Sequence, residues 1–191
     1  MSRSPQTSSG ISPNDELEFV TLVDAADNTV GSCGKIAAHR TGKLHRAFSI
    51  LISNLDGELL LQRRAAHKYH FANRWSNACC GHPRPGEPTP AAARRRLAEE
   101  LSFTVPLTQV AAFPYFAEDA VSGLVENEYL HVFHGVFTGQ PAPNPDEVGA
   151  CRWMLPARIR RGLAARPDWF TPWFAHLTVG NRAGDLRLVN D

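Results

Sequence analysis

The stretch that decides the fold is Asn77 to Phe103, NACCGHPRPGEPTPAAARRRLAEELSF. A thiol and an imidazole stand two residues apart, Cys80 and His82, ahead of the turn GHPRPG. Its prolines and glycines exclude a helix before Pro88, whereas Pro88 and Pro90 suit a first helical turn. Beyond them Ala93, Leu97 and Leu101 recur at i, i+4 and i+8, one apolar stripe. Arg96 and Glu100 are one turn apart on another face, so the helix packs on one side and carries charge on the other.

Upstream, Glu18–Asp24 reads as a strand, with Asp27-Asn28 as the turn after it. Val30–His39 reads as a short strand and a loop. Arg46–Asn54 is rich in β-formers, Asp56-Gly57 is a two-residue hairpin signal, and Glu58–Arg63 returns as the partner strand. Ala65–Trp75 is expected as a loop. Downstream, Val110–Phe116 and Val125–Phe137 read as strands, Gln140–Asp146 as a proline-rich loop, and Cys151–Met154 as a last short strand. Ile159, Leu163, Trp169, Trp173 and Leu177 mark C-terminal helices. Strands, a helix, more strands and then helices imply a mixed sheet flanked by helices in one domain over residues 16–191. Residues 1–15, polar and serine-rich, read as a flexible tail.

The chain has 191 residues, 43% hydrophobic and 20% charged, which describes a globular protein with a core of its own. A net charge of +1 gives no electrostatic case for nucleic acid or an anionic membrane. The longest apolar run, FSILI at Phe48–Ile52, is too short to span a bilayer. Four cysteines, Cys33, Cys79, Cys80 and Cys151, form no CxxC pair, so reduced thiols in the cytoplasm are expected.

Three groups of residues can carry chemistry. Gly81, Glu87, Arg95, Leu97, Glu99 and Glu100 fit the spacing G-x5-E-x7-R-E-U-x-E-E-x-G-U, U being aliphatic. That pattern resembles the Nudix box, whose helix carboxylates hold divalent cations against a diphosphate. Arg96 stands where the box has Glu, Ser102 where it has Gly, and Phe103 is a loose final match. Both departures weigh against ordinary Nudix hydrolysis, though a helix carboxylate remains a sensible Mg²⁺ ligand beside phosphate oxygens. An ordinary solvated Arg/Glu face would look the same.

In the second group, His39, His45 and His82 with Glu126 and Glu128 could surround a divalent metal, Zn²⁺ or Mn²⁺. Glu126 and Glu128 share a strand face with Leu130 and Val132, where carboxylates are costly to bury unless neutralised. His67, His70, His131, His134 and His176 take the ordinary reading of surface or hydrogen-bonded residues. The third group is Cys80 with Glu128, a thiol and a carboxylate able to act as acid and base. Cys33, Cys79 and Cys151 read as small buried hydrophobes.

NACCGHP, AAHRTGKLHRAFS, the ENE after SGLV, and TPWF together resemble the type I isopentenyl-diphosphate Δ-isomerase family, from about Glu18 to Arg182 and in the family's order. The family shares the two departures from the general Nudix box. The resemblance implies an α/β (α+β) Nudix-like fold, a mixed β-sheet sandwiched between helices. It implies interconversion of isopentenyl and dimethylallyl diphosphate, in isoprenoid synthesis, through a tertiary carbocation. By the resemblance, Cys80 and Glu128 would be the acid/base pair, with Tyr115 supporting proton transfer at Glu128 and Trp173 facing the cation. His39, His45, His82, Glu126 and Glu128 would hold a tightly bound Mn²⁺, Zn²⁺ or Mg²⁺. Glu100 and the backbone carbonyl of Cys80 would hold a Mg²⁺ on the diphosphate, which Lys35, Arg64, Lys68 and Arg96 would contact. The expected partner is a small diphosphate, not nucleic acid or membrane, for a monomer or weak homodimer. The loop from His39 to His45 is about one residue shorter than the family pattern, and Cys79 stands where a small aliphatic residue is usual. A Nudix pyrophosphohydrolase and a non-catalytic metal-binding or regulatory domain are the rival readings.

Overall fold

The computed structural model describes residues 17–179; the expected tail over residues 1–15 and the chain beyond 179 lie outside them. Strands β1 (Phe19–Val23) and β2 (Thr29–Gly34) form an antiparallel hairpin. Its turn is tied by Asp24, whose Oδ1 accepts the amides of Ala26 and Asn28 at 2.9 Å each. The expected loop after β2 is instead a helix, α1 (Lys35–Thr41), stopped by Gly42 at φ 62°. A two-turn helix is too short to show apolar periodicity, and the glycine in the left-handed region was its readable end signal.

β3 (His45–Ser53) turns back into β4 (Leu59–Arg64) through Asp56-Gly57 as expected, with Gly57 at φ 73°. Two short strands then appear inside polar sequence, β5 (Trp75–Ser76) against β4 and β6 (Cys79–Gly81) against β3. The box helix is α2 (Thr89–Leu101), with Pro88 at its N-cap. It ends at Ser102, φ 60°, a left-handed position that glycine fills at least cost. Here Ser102 holds it, with its hydroxyl donating to Ala142 O at 2.8 Å. β7 (Thr108–Glu118), β8 (Val125–Val136) and β9 (Val148–Met154) follow, then α3 (Pro156–Ala165), a 3₁₀ turn (Pro167–Trp169) and α4 (Pro172–Val179).

The sheet is mixed. β8 runs parallel to β3 from His45↔Glu128 to Ser53↔Val136, while β6 pairs with β3 antiparallel and β7 with β8 antiparallel. Alternation along β3 divides the core in two. Phe48, Ile50 and Ile52 pack with Ala93, Leu97 and Leu101 of α2. Ala47 and Leu51 pack with Ile159, Leu163, Trp173, Phe174 and Leu177 of the C-terminal helices. Helices therefore cover both faces, and the apolar stripe read on α2 is fully buried.

Leu97 is 0% exposed in the layer between α2 and β3. Leu97→Ala is expected to cost about 2–5 kcal/mol in denaturant unfolding; a loss below about 1 kcal/mol would mean that α2 does not anchor this layer.

Candidate functional site

The site lies in a cleft of about 580 Å³ lined from both halves of the chain, including Lys35, Arg64, Lys68, His70, Cys80, His82, Arg96, Glu100, Glu126, Glu128 and Trp173. One wall is the imidazole cluster. α1 presents His39, β3 starts on His45, the strand β6 leads into His82, and β8 supplies Glu126 and Glu128. One ligand atom each from His39, His45, His82 and Glu126 lies within 4.8 Å of the others. The backbone fixes how the rings face. His39 Nδ1 meets Lys35 O at 2.7 Å and His45 Nδ1 meets Lys43 O at 2.8 Å, contacts that require N–H on Nδ1. Both Nε2 lone pairs therefore point inward, the orientation a metal needs. There His39 Nε2 is 3.1 Å from Glu126 Oε2, and His45 Nε2 is 3.2 Å from His82 Nε2. Acceptors converging at such distances form a donor set that fits a divalent cation.

Glu128 sits at the edge of this group, its Oε1 3.1 Å from His82 Nε2. His70 occupies a place the sequence reading did not give it. Its Nε2 is 2.7 Å from Glu126 Oε1 and the residue is 8% exposed, so of the surface or hydrogen-bonded reading it takes the hydrogen-bonded half, inside the cleft wall. Burial pushes His45 and His70 down to about 4 and His82 well down as well, leaving their rings neutral. Burial also opposes charge on Glu126 and His39, but their mutual attraction outweighs it, holding Glu126 well below the usual carboxylate range and raising His39. Burial and then the Glu126 charge push Glu128 well above the usual carboxylate range, so the neighbouring carboxyls differ in protonation.

Across β3 from Glu128 stands Cys80. Ser49↔Cys80 is one pair on β3 and His45↔Glu128 another, so the two groups flank β3 from opposite edges. The Cys80 sulfur is 3.2 Å from Asn77 Oδ1 and 3.4 Å from Ser49 Oγ, and burial raises its pKa to about 11. Cys79, one residue away, is 0% exposed under α2, the buried hydrophobe expected; Cys33 and Cys151 are half-buried. Tyr115 pairs with Glu128 across β7 and β8, and its buried hydroxyl has no hydrogen-bond partner among the described residues. Trp173 is 5% exposed, with the Arg64 guanidinium 5.6 Å from its ring.

The basic residues converge on the same cleft, each engaged. Lys35 Nζ meets Glu18 at 2.7 Å and Lys68 Nζ meets Glu147 at 2.6 Å. Arg96 reaches Glu100 at 2.5 Å, Glu99 at 2.8 Å and Glu147 at 3.2 Å. Arg64 Nη2 donates to His70 O at 3.2 Å. Glu100 is buried, its second oxygen accepting from Gln62 Nε2 at 2.8 Å. The box residues Glu87 and Arg95 form a separate two-bond pair at 2.8 Å each, bracing the 82–88 turn against α2.

A family model described as NUDIX domain matches residues 43–174. The isopentenyl-diphosphate Delta-isomerase of Halorhodospira halophila is 52% identical over 163 residues, covering 84% of this chain and 93% of that protein. The chain belongs to the isopentenyl-diphosphate Δ-isomerase family. A second member of the family, from Nocardia farcinica, is 50% identical over 159 residues, covering 83% and 91%. Among solved structures, DR0079 from Deinococcus radiodurans aligns with a TM-score of 0.66 at 23% identity, over 78% of this chain and 90% of that one. The MutT protein of Methanosarcina mazei Go1 aligns at 0.59 and 18% identity, over 75% and 96%. At those identities the likeness shows the Nudix fold alone.

Several residues of the cleft carry no sequence signal. Gln62, Ser49, Ser76 and Glu147 lie on ordinary strand or loop positions, and only their place in the cleft wall, the first three buried and Glu147 half-buried, sets them apart. Asn77 lies inside the quoted stretch, but nothing in its spacing marks it. His70 could have been suspected only from HKYH, a histidine in a loop that folds over Glu126.

If the cluster holds a metal, chelator treatment will lower the melting temperature of the native protein, since a ligand of the folded state alone stabilises it. In His39→Ala that difference will vanish. Identical melting curves before and after chelation of the native protein would remove the cluster as a metal centre.

Proposed function

We infer that the chain interconverts isopentenyl diphosphate and dimethylallyl diphosphate, as a member of its family and as a step of isoprenoid biosynthesis. The observation that carries the reading is the pair Cys80 and Glu128, lining one cleft from opposite edges of β3 beside a set of cations. Moving the double bond requires a proton added to the terminal carbon of the alkene and another removed from C2, the carbon next to the one that bears the diphosphate oxygen. A tertiary cation lies between the two events. A proton-transfer group on each side of a small hydrocarbon meets that need.

Glu128, held protonated-prone by burial, and Cys80 are assigned as that acid/base pair. Tyr115, opposite Glu128 and with a buried hydroxyl unpaired among the described residues, supports proton movement there. Trp173 offers its aromatic face to the cation, an interaction of about 1–2 kcal/mol once water is excluded. Arg64, with Lys35, Lys68 and Arg96 releasing their present carboxylate partners in part, binds the diphosphate; grip on this remote group orients the C5 chain. His39, His45, His82 and Glu126, with Glu128 at the margin, would hold Mn²⁺ or Zn²⁺, and Glu100 with the Cys80 carbonyl would hold Mg²⁺ with the diphosphate; such ions supply local positive charge that tunes proton affinity and neutralises phosphate oxygens. No helix among the described residues is long and apolar enough to cross a membrane. We place the protein in the cytoplasm, acting on a small soluble substrate as a monomer or weak homodimer without nucleic acid.

The test is incubation with isopentenyl diphosphate and Mg²⁺ in D₂O, followed by NMR. Deuterated dimethylallyl diphosphate without phosphate release is expected, and Cys80→Ala should abolish it while leaving bound metal unchanged. Phosphate release without isomerisation would make the protein a hydrolase. Full turnover by Cys80→Ala would take the thiol out of the mechanism.

A further inference from the structure

Beneath the cleft runs a buried chain of hydrogen bonds that joins Cys80 to Trp173. Asn77, 1% exposed, donates through Nδ2 to Ile50 O at 3.1 Å and to Cys79 O at 2.8 Å. Those two carbonyls fix the amide's orientation, because a flipped amide would set oxygen against oxygen. Oδ1 can then only accept. It receives the Cys80 thiol at 3.2 Å and the Ser76 hydroxyl at 3.0 Å. With its one proton committed to Asn77, Ser76 Oγ is an acceptor for Trp173 Nε1 at 2.9 Å and for Thr171 Oγ1 at 2.9 Å. Ser49 Oγ, 3.4 Å from the sulfur, is left able to donate to it.

We propose that Asn77 is a positioning residue for the isomerisation: through one amide locked to β3 and β6 it fixes the Cys80 sulfur and, by way of Ser76, holds the Trp173 indole in register with it. This rests on Cys80 being a proton-transfer group. The network places sulfur and indole on one rigid frame, so that the thiol and the aromatic face keep a constant separation. Its side chains are not among the cations assigned to the diphosphate, and the Mg²⁺ contact assigned to Cys80 is its backbone carbonyl, which the Asn77 side chain does not bond, so loss of the network should act on turnover more than on grip.

The test combines kinetics with the S–H stretching band of Cys80 in Raman spectra, isolated by difference against Cys80→Ala. In Asn77→Ala, kcat is expected to fall by roughly 100-fold, the scale of a misplacement near 1 Å. KM should stay within about twofold, marking an interaction used only beyond substrate binding. The Cys80 band should move to higher frequency as its acceptor is lost. An unmoved band, or kcat at the native level with an unmoved band, overturns the proposal. A moved band with native turnover shows the hydrogen bond but overturns Asn77 as a positioning residue, while turnover in Cys80→Ala separately decides the role of the thiol itself. If Asn77→Ala does not fold, the native spectrum decides: a Cys80 band at the frequency of a free thiol overturns the assignment, and a lowered one supports it.

Discussion

Glu126 is a carboxylate that folding takes almost wholly out of water, at 3% exposure, and much of the molecule is arranged around the cost of doing so. An unpartnered charge there would be prohibitive. His39 approaches one oxygen at 3.1 Å and His70 the other at 2.7 Å. To supply these two rings the chain must close α1 over the end of β8 and fold the 65–74 loop across it. That loop contains Phe71 and Asn73 in the left-handed region, at φ 48° and 61°. Backbone strain of this kind, of order 1–3 kcal/mol per residue, persists where the surroundings fix it. Asp119, accepting from the Phe71 amide at 3.4 Å and Ser122 Oγ at 2.8 Å, is part of that surrounding structure.

The sheet separates two tasks. Its α2 face is a dry aliphatic layer in which nothing reactive is exposed, and its other face carries His45, Ser49, Glu126 and Glu128 from the same strands that pack Ala47, Leu51 and Leu130. The polar end of that face is the cleft and the apolar end is the core beneath the C-terminal helices. A hydrocarbon substrate tied down by its diphosphate would thus meet apolar walls and charged groups within one surface.

Periodicity and turn chemistry made the large elements readable: β3 and β4 with their Asp56-Gly57 turn, α2 with its buried stripe, and the alternation along β8. The three metal-type histidines and two glutamates were visible because HRTGKLH, GHP and ENE carry a family pattern. What stayed hidden has a physical reason. α1 is too short for a helical period, and β5 and β6 exist because β3 and β4 offer them hydrogen bonds, not because Trp75-Ser76 or Cys79–Gly81 favour strands. His70, Gln62 and Glu147 act through partners far away in sequence, 56, 38 and 79 residues for the contacts to Glu126, Glu100 and Lys68. Such pairings are properties of the closed structure.

Cys79 and Cys80 are neighbours in sequence that pleating sends to opposite sides of the sheet. One lies sealed in the aliphatic layer and the other opens on the cleft, so the protein carries two identical functional groups with different chemical access. Soft electrophiles and oxidants arriving from solvent meet one sulfur and not the other. The distinction is stored in the register of a strand only three residues long. Sliding it by a single position would exchange the two thiols, turning the inert sulfur into the accessible one while every residue kept its identity.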